Sequence, residues 1–194
     1  MNVRPACCRE LCALSAILLL SCGSETTTTV ERLQKPPMTL TSPAFTHGGI
    51  IPDRCSWSAD NLSPPLKWKN TPEGVRSFAL IMRDQDAERK HYVHWVVMNL
   101  PADTRYLSEG AGSRSLVPGE SMSMGSYLGV VPQKDYRFHR YVFTLYALDA
   151  MLTPDTVPFD IERLEQLVAG HVLAKAELMG RYGRSRLVLP RFVR

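Results

Sequence analysis

From Met38 onward the apolar residues come in short runs cut by prolines and glycines, the pattern of strands joined by tight loops. Arg76-Ser77-Phe78-Ala79-Leu80-Ile81-Met82-Arg83 reads as a buried strand that ends in the acidic pair Asp84 and Asp86. Tyr92 to Asn99 is rich in β-branched and aromatic residues. Strict alternation there puts Tyr92, His94, Val96 and Met98 on one face and Val93, Trp95 and Val97 on the other. A third strand covers Arg140 to Leu148, with His139, Tyr141, Phe143 and Leu145 sharing a face. One late stretch has helical spacing. Ile161, Leu164, Leu167, Val168, Val172 and Leu173 make an apolar stripe that predicts a helix from an Asp160 N-cap to about Glu177. Gly170 in its middle costs about 1 kcal/mol relative to alanine. A short strand over Leu178 to Tyr182 would close the chain. The pattern as a whole predicts a mainly β domain covered by one helix, without internal repeat or boundary after Met38.

The N-terminus follows a different logic. Arg4 and Arg9 precede Leu11 to Leu20, which is apolar apart from Cys12 and Ser15, and small residues follow at Ser21-Cys22-Gly23. That order is a secretory signal peptide over residues 1–21, because the apolar run is far shorter than the roughly 20 residues a membrane-spanning helix needs. Leu19-Leu20-Ser21-Cys22 resembles the bacterial lipobox, in which cleavage precedes a cysteine that becomes acylated. Cys22 is thus the expected lipidation site. Residues 22–37, with four consecutive threonines and Pro36-Pro37, read as anchor and tether, and 38–194 as the folded domain. Gly23 stands where an aspartate would resemble an inner-membrane retention signal, which favours the outer membrane. Periplasmic release or secretion is the alternative.

Composition narrows the rest. A chain of 194 residues with 44% hydrophobic and 22% charged residues supports one domain and excludes a disordered or collagen-like chain. A net charge of +4 is too small to imply nucleic acid. Four of the five cysteines lie in the first 22 residues, so Cys55 is a lone thiol and no disulfide framework is expected.

Polar residues gather at the ends of the apolar runs: Asp84-Gln85-Asp86, His91-Tyr92-Val93-His94, the loop Gly125 to Phe138, and His139-Arg140-Tyr141. No Gly-x-Ser-x-Gly elbow, Walker loop or Cys-x-x-Cys pair occurs. Around this cluster the sequence resembles the phosphatidylethanolamine-binding protein family, in its bacterial Raf-kinase-inhibitor-like branch. The carriers are Ile51-Pro52, Asn61-Leu62-Ser63-Pro64-Pro65-Leu66-Lys67-Trp68, Pro72-Glu73-Gly74 and Ser77-Phe78-Ala79-Leu80. They continue in Asp84-Gln85-Asp86-Ala87, His94-Trp95-Val96-Val97-Met98-Asn99-Leu100-Pro101, His139-Arg140-Tyr141-Val142-Phe143, Tyr146-Ala147-Leu148-Asp149 and Gly170-His171. The resemblance implies two packed antiparallel sheets in Greek-key style, a C-terminal helix on one side, and a small pocket for phosphate or a phosphorylated head group.

By position, the resemblance implies that Asp84 and Asp86 are the family's two motif aspartates, His94 its pocket histidine, and His139 and Tyr141 its His-Arg-Tyr pair. Imidazole N–H groups and a phenol can donate to anionic oxygens, and a carboxylate can orient a histidine. Pro132 and Gln133 fall in the pocket-lining turn, where Gln133 replaces a family proline. Gln85 and Glu88 likewise replace the prolines of the aspartate motif, and Trp57 and Ala59 stand where relatives often carry cysteine and glycine. The bland alternative is that the aspartates cap loop backbone and His94 packs beside Trp95.

The expectation is therefore a non-enzymatic binding protein. Its ligand is phosphate, a phosphorylated small molecule or a phospholipid head group, and it meets the membrane through a lipid anchor, with no cofactor. No metal is expected, because His91 and His94 at i and i+3 of a strand face opposite ways. The rival is an inhibitor or modulator of a protein partner. A small hydrolase with His94 or His139 as base ranks last for want of a nucleophile. His171 is assigned to packing or capping on the helix, and the arginines from Arg181 to Arg194 to a solvated tail.

Overall fold

The structure is a computed structural model that describes residues 35–88, 92–113, 122–123, 126–131, 137–153 and 161–183. The expected signal peptide, Cys22, the tether as far as Gln34, the Asp160 cap and the arginines beyond Gly183 lie outside the described residues. The strands are β1 Thr39–Thr41, β2 Leu66–Lys69, β3 Ser77–Asp84, β4 Tyr92–Pro101, β5 Tyr106–Leu107, β6 Met122–Ser123, β7 His139–Leu148 and β8 Val172–Tyr182; α1 is Ile161–Ala169. They make two antiparallel sheets, of order β1-β2-β5 and β6-β4-β3-β7-β8. The fold is mainly β with one helix among the described residues, as the sequence implied.

Period-two patterning explains the layers. Phe78, Leu80 and Met82 of β3 and Phe143 and Leu145 of β7 turn towards the small sheet, where they share a core with Leu40, Leu66 and Trp68. Trp68 and Phe78 meet edge-on with ring centroids 5.6 Å apart. On the other face Ala79, Ile81, Val96 and Met98 pack under Leu164 and Val168 of α1. Every large side chain in these layers contributes about 1.5–3 kcal/mol of burial.

The helix is shorter than its apolar stripe predicted. It ends at Ala169, the His171 N–H bonds back to the Val168 carbonyl, and the chain reverses into an eleven-residue strand. Val172 and Leu173, placed on the helical stripe by sequence, are exposed strand residues at 37% and 41%. Residues 172–177 satisfy both periods, but Ala176, Leu178 and Tyr182 continue inward alternation, and β8 pairs with all of β7 from Leu148↔Val172 to His139↔Tyr182. A long ladder outweighs one or two helical turns beyond a glycine. Gly180 also fits only as glycine: a Cβ there would sit 2.5 Å from Ile51 Cγ1 and 2.7 Å from Phe45 Cε2, so its absence lets the 45–51 segment close on β8.

The face assignment of β4 is corrected as well. Met82 pairs with Trp95 and Arg83 with Val93, so His94 has no partner in β3 and forms a bulge. The extra residue rotates His94 away from Val96 and Met98 and onto the inner face with Trp95. A second register shift lies at Met98 and Asn99. Asn99 takes a left-handed backbone (φ 57°), and its amide exchanges two hydrogen bonds with the Leu152 backbone at 2.9 and 2.8 Å.

Candidate functional site

The bulge, the end of β3 and the start of β7 bring four of the sequence candidates together. Asp84 closes β3 directly opposite Tyr141 of β7. Its fully enclosed carboxylate accepts from His139 Nδ1–H at Oδ2 (2.9 Å) and from the Asp86 backbone N–H at Oδ1 (2.9 Å). A carboxylate without water needs such donors, because burying it unpaired costs several kcal/mol, on the order of what a marginal fold can spare. The turn from Asp84 to Asp86 is thus the backbone-capping role the sequence left open, and it coexists with the grip on His139.

His94 is held from two sides by one residue. Its Nδ1 lies 2.9 Å from the Leu128 carbonyl, and its own carbonyl accepts from the Leu128 N–H at 2.9 Å. A carbonyl can only accept, so Nδ1 carries the hydrogen and the neutral ring keeps its lone pair on Nε2. That nitrogen is buried and has no hydrogen-bond partner among the described residues. The ring lies edge-on between Tyr92 and Tyr141, with centroids 4.9 and 5.1 Å away. Burial pushes the His94 pKa down, against the opposing pull of the Leu128 hydrogen bond and the Asp84 charge.

Tyr141 and Asp86 point elsewhere than a simple ligand cradle would require. The Tyr141 hydroxyl donates to the Val131 carbonyl (3.0 Å) and accepts from the Val131 N–H (3.3 Å), so it anchors the loop that leads to Pro132. Pro132 and Gln133 themselves lie outside the described residues. Asp86 takes the Arg140 guanidinium in a two-pronged pair, from Nε at 2.9 Å and Nη2 at 2.6 Å, and also the Arg140 backbone N–H. The hydrogen bonds from Arg140 hold the Asp86 carboxyl at about 2. It staples the loop after β3 to the start of β7.

Sequence reasoning missed the backing of the site. Val130 exchanges backbone hydrogen bonds with Cys55 and Trp57, and Tyr127 donates its hydroxyl to the Cys55 carbonyl at 2.8 Å. Asn61 accepts from the Gly129 N–H at 2.7 Å and donates to the Tyr127 carbonyl at 3.3 Å. A Cβ on Gly129 would lie 2.4 Å from the Trp57 nitrogen. Gly129, already visible in the sequence as a loop glycine, was the available signal. The Cys55 thiol sits behind this loop, fully buried, and burial pushes it up to about 11. His171 stands at the turn after α1, where its Nδ1 pairs with Asp149 Oδ1 at 2.8 Å. No group of three or more metal-ligating side chains occurs among the described residues. A cleft of about 420 Å³ between residues 35–38, 70–73 and Ala174 contains none of the candidates.

Comparison with known proteins follows the same span. Residues 41–183 match the family model described as phosphatidylethanolamine-binding protein. A UPF0098 protein of Methanothermobacter thermautotrophicus is 38% identical over 154 residues, which is 76% of this chain and 99% of the relative. The crystal structure of Escherichia coli YbcL, described as a member of the mammalian PEBP family, superposes with a TM-score of 0.71 at 26% identity, covering 77% of this chain and 100% of YbcL. A Mycobacterium tuberculosis chain that carries the name lipoprotein LppC is 37% identical over 119 residues, 60% of this chain and 58% of its own length. Since the match takes in β2 to β8 and every described loop of the His94–Asp84–His139 cluster, the chain belongs to the phosphatidylethanolamine-binding protein family.

Proposed function

We propose that this protein is a non-enzymatic binding protein whose site, built on His94, Asp84, His139 and Tyr141, takes phosphate or a phosphorylated head group. The observation that carries the reading is His94 Nε2, buried without a hydrogen-bond partner among the described residues, beside an enclosed Asp84–His139 pair. A buried polar atom left alone costs about 1–3 kcal/mol, which a ligand can return. Asp84 fixes His139, and Tyr141 holds the Val131 turn whose next residues, Pro132 and Gln133, belong to the proposed lining. Asp86 serves the site indirectly, by tying the Asp84 loop to Arg140. Against catalysis stands the one thiol of the region, Cys55, which is buried and held protonated. Calorimetry with inorganic phosphate and phosphoethanolamine tests the reading. Binding that His94→Ala abolishes is the expected result, and binding unchanged in that variant would remove the site assignment.

Anchoring at Cys22 in the outer membrane belongs to the same proposal. It is supported by the lipobox-like Leu19-Leu20-Ser21-Cys22 and by the name of the mycobacterial relative. Fractionation of Cys22→Ser cells should move the protein out of the membrane pellet; retention there would refute acylation.

A further inference from the structure

The fixed tautomer of His94 has a consequence for any oxyanion that enters. Because Nδ1–H is committed to the Leu128 carbonyl, the neutral ring offers the site an acceptor and no donor. A fully deprotonated phosphate oxygen is also an acceptor. Two acceptors face each other with repulsion unless one of them carries a hydrogen. The other tautomer does not help, since it would set the Nδ1 lone pair against the Leu128 carbonyl in a buried setting, and turning the ring over would leave only a C–H there.

We propose that the site binds its oxyanion together with one proton, seated between a ligand oxygen and His94 Nε2. The inference rests on the anion-binding reading above and specifies the protonation state in which that site works. His94 is then a group that touches ligand, and Leu128 is the positioning residue that fixes which nitrogen faces it.

The surroundings favour this nitrogen as the proton's seat. Around the ring stand Tyr92 on its own strand, Tyr141 on β7, Asp84 on β3 with His139 of β7 behind it, and the Leu128 and Gly129 backbone. Phenols do not titrate in the neutral range. Asp84 spends its two oxygens on His139 and the Asp86 N–H. Its negative charge is on the side that stabilises an imidazolium at His94 once an anion compensates the loss of water. In the free protein burial keeps His94 neutral at neutral pH, so the proton must arrive with the ligand or from solvent on binding.

Titration calorimetry of phosphoethanolamine at about pH 8, repeated in buffers of different ionisation heat, counts that proton. The phosphomonoester has shed its second proton there, since that group titrates near about pH 6. Uptake close to one proton per site is expected, with Kd weakening about tenfold per pH unit between about pH 7.5 and 8.5. Glycerophosphoethanolamine, the diester of an intact lipid head group, is run beside it. It should take up a proton too, and whichever of the two binds more tightly identifies a free monoester or a lipid as the source. Long-range 15N–1H spectra of the saturated wild-type protein read Nε2 directly and should show it protonated. In His94→Asn, whose amide can keep the Leu128 bond, the uptake should vanish. Binding with no proton uptake and a flat pH profile, or uptake that persists in His94→Asn, overturns this inference and leaves the anion site standing. No binding of either compound from about pH 5.5 to 8.5 overturns the anion reading and this inference with it.

Discussion

Replacing Asp84 separates two roles of one buried carboxylate, and the structure sets the size of each. Asp84→Ala removes the acceptor for both the His139 Nδ1–H and the Asp86 N–H, in a place where the aspartate side chain has no exposed surface. Two donors left without partners at about 1–3 kcal/mol each predict a loss of about 2–6 kcal/mol. Asp84→Asn keeps the shape and, through its carbonyl oxygen, the acceptor for Asp86. Its NH2 then faces His139 Nδ1, so His139 must move its hydrogen to Nε2 and accept, which exchanges a charge-assisted bond for a neutral one at a loss of about 1–2 kcal/mol. For a domain of this size that corresponds to about 2–8 °C in Tm for the asparagine variant. Urea unfolding followed by tryptophan fluorescence measures both, since Trp95 lies in the same inner layer. The ordering matters more than either value: alanine must be the worse substitution by more than about 1 kcal/mol. If both variants unfold within about 0.5 kcal/mol of the wild type, Asp84 is not the fastener described, and the cost assigned to unpaired donors fails with it.

Three further outcomes follow from the geometry. Gly129→Ala should cost about 1–3 kcal/mol by forcing the 127–131 loop off Trp57, read as a Tm drop together with shifted His94 ring resonances; an unshifted spectrum would contradict the 2.4 Å approach. Arg140→Gln should raise the Asp86 carboxyl from about 2 towards the ordinary aspartate range, seen by 13C titration, and a midpoint still at about 2 would exclude the Arg140 guanidinium as the cause. Because the folded-state value is depressed, the stabilisation from Asp86 is present above the unfolded aspartate range and fades as pH falls towards about 2; with Arg140 more than half exposed, it is worth no more than about 1 kcal/mol. Cys55 should resist thiol reagents at about pH 8 in the native protein and react at once in denaturant, whereas rapid native labelling would refute its burial.

The β3 and β7 strands were legible because their apolar runs are long, bounded by charge, and buried on both sides by a sheet and a helix. Residues 172–177 were not, since alternation and helical spacing coincide over a segment that short and only the free edge of β7 decides between them. His94 was found as a residue but placed on the wrong face. Period-two reasoning assumes an unbroken ladder, and an inserted residue leaves no mark in composition. Leu128 escaped notice for a different reason: it acts through its backbone carbonyl, which every residue has. Asp86 shows a third limit. Sequence puts a carboxylate near the site but does not say whether it faces the ligand or a neighbouring cation, and here Arg140 claims it.

The bulge in β4 has an implication for how such a domain can change over time. His94 sits at a position that the β3 ladder skips, and its carbonyl is bonded to Leu128 instead. The sheet therefore does not depend on which side chain occurs there, while the neighbouring Trp95 is locked into both ladder and core. Substitutions at the skipped position spare the β3 ladder, and their cost falls on the Leu128 bond and on the packing between Tyr92 and Tyr141. Tyr141, paired on both sides with β3 and β8, has no such freedom. The two rings are thus tied to the fold in different ways, one through its loop and the other through the ladder.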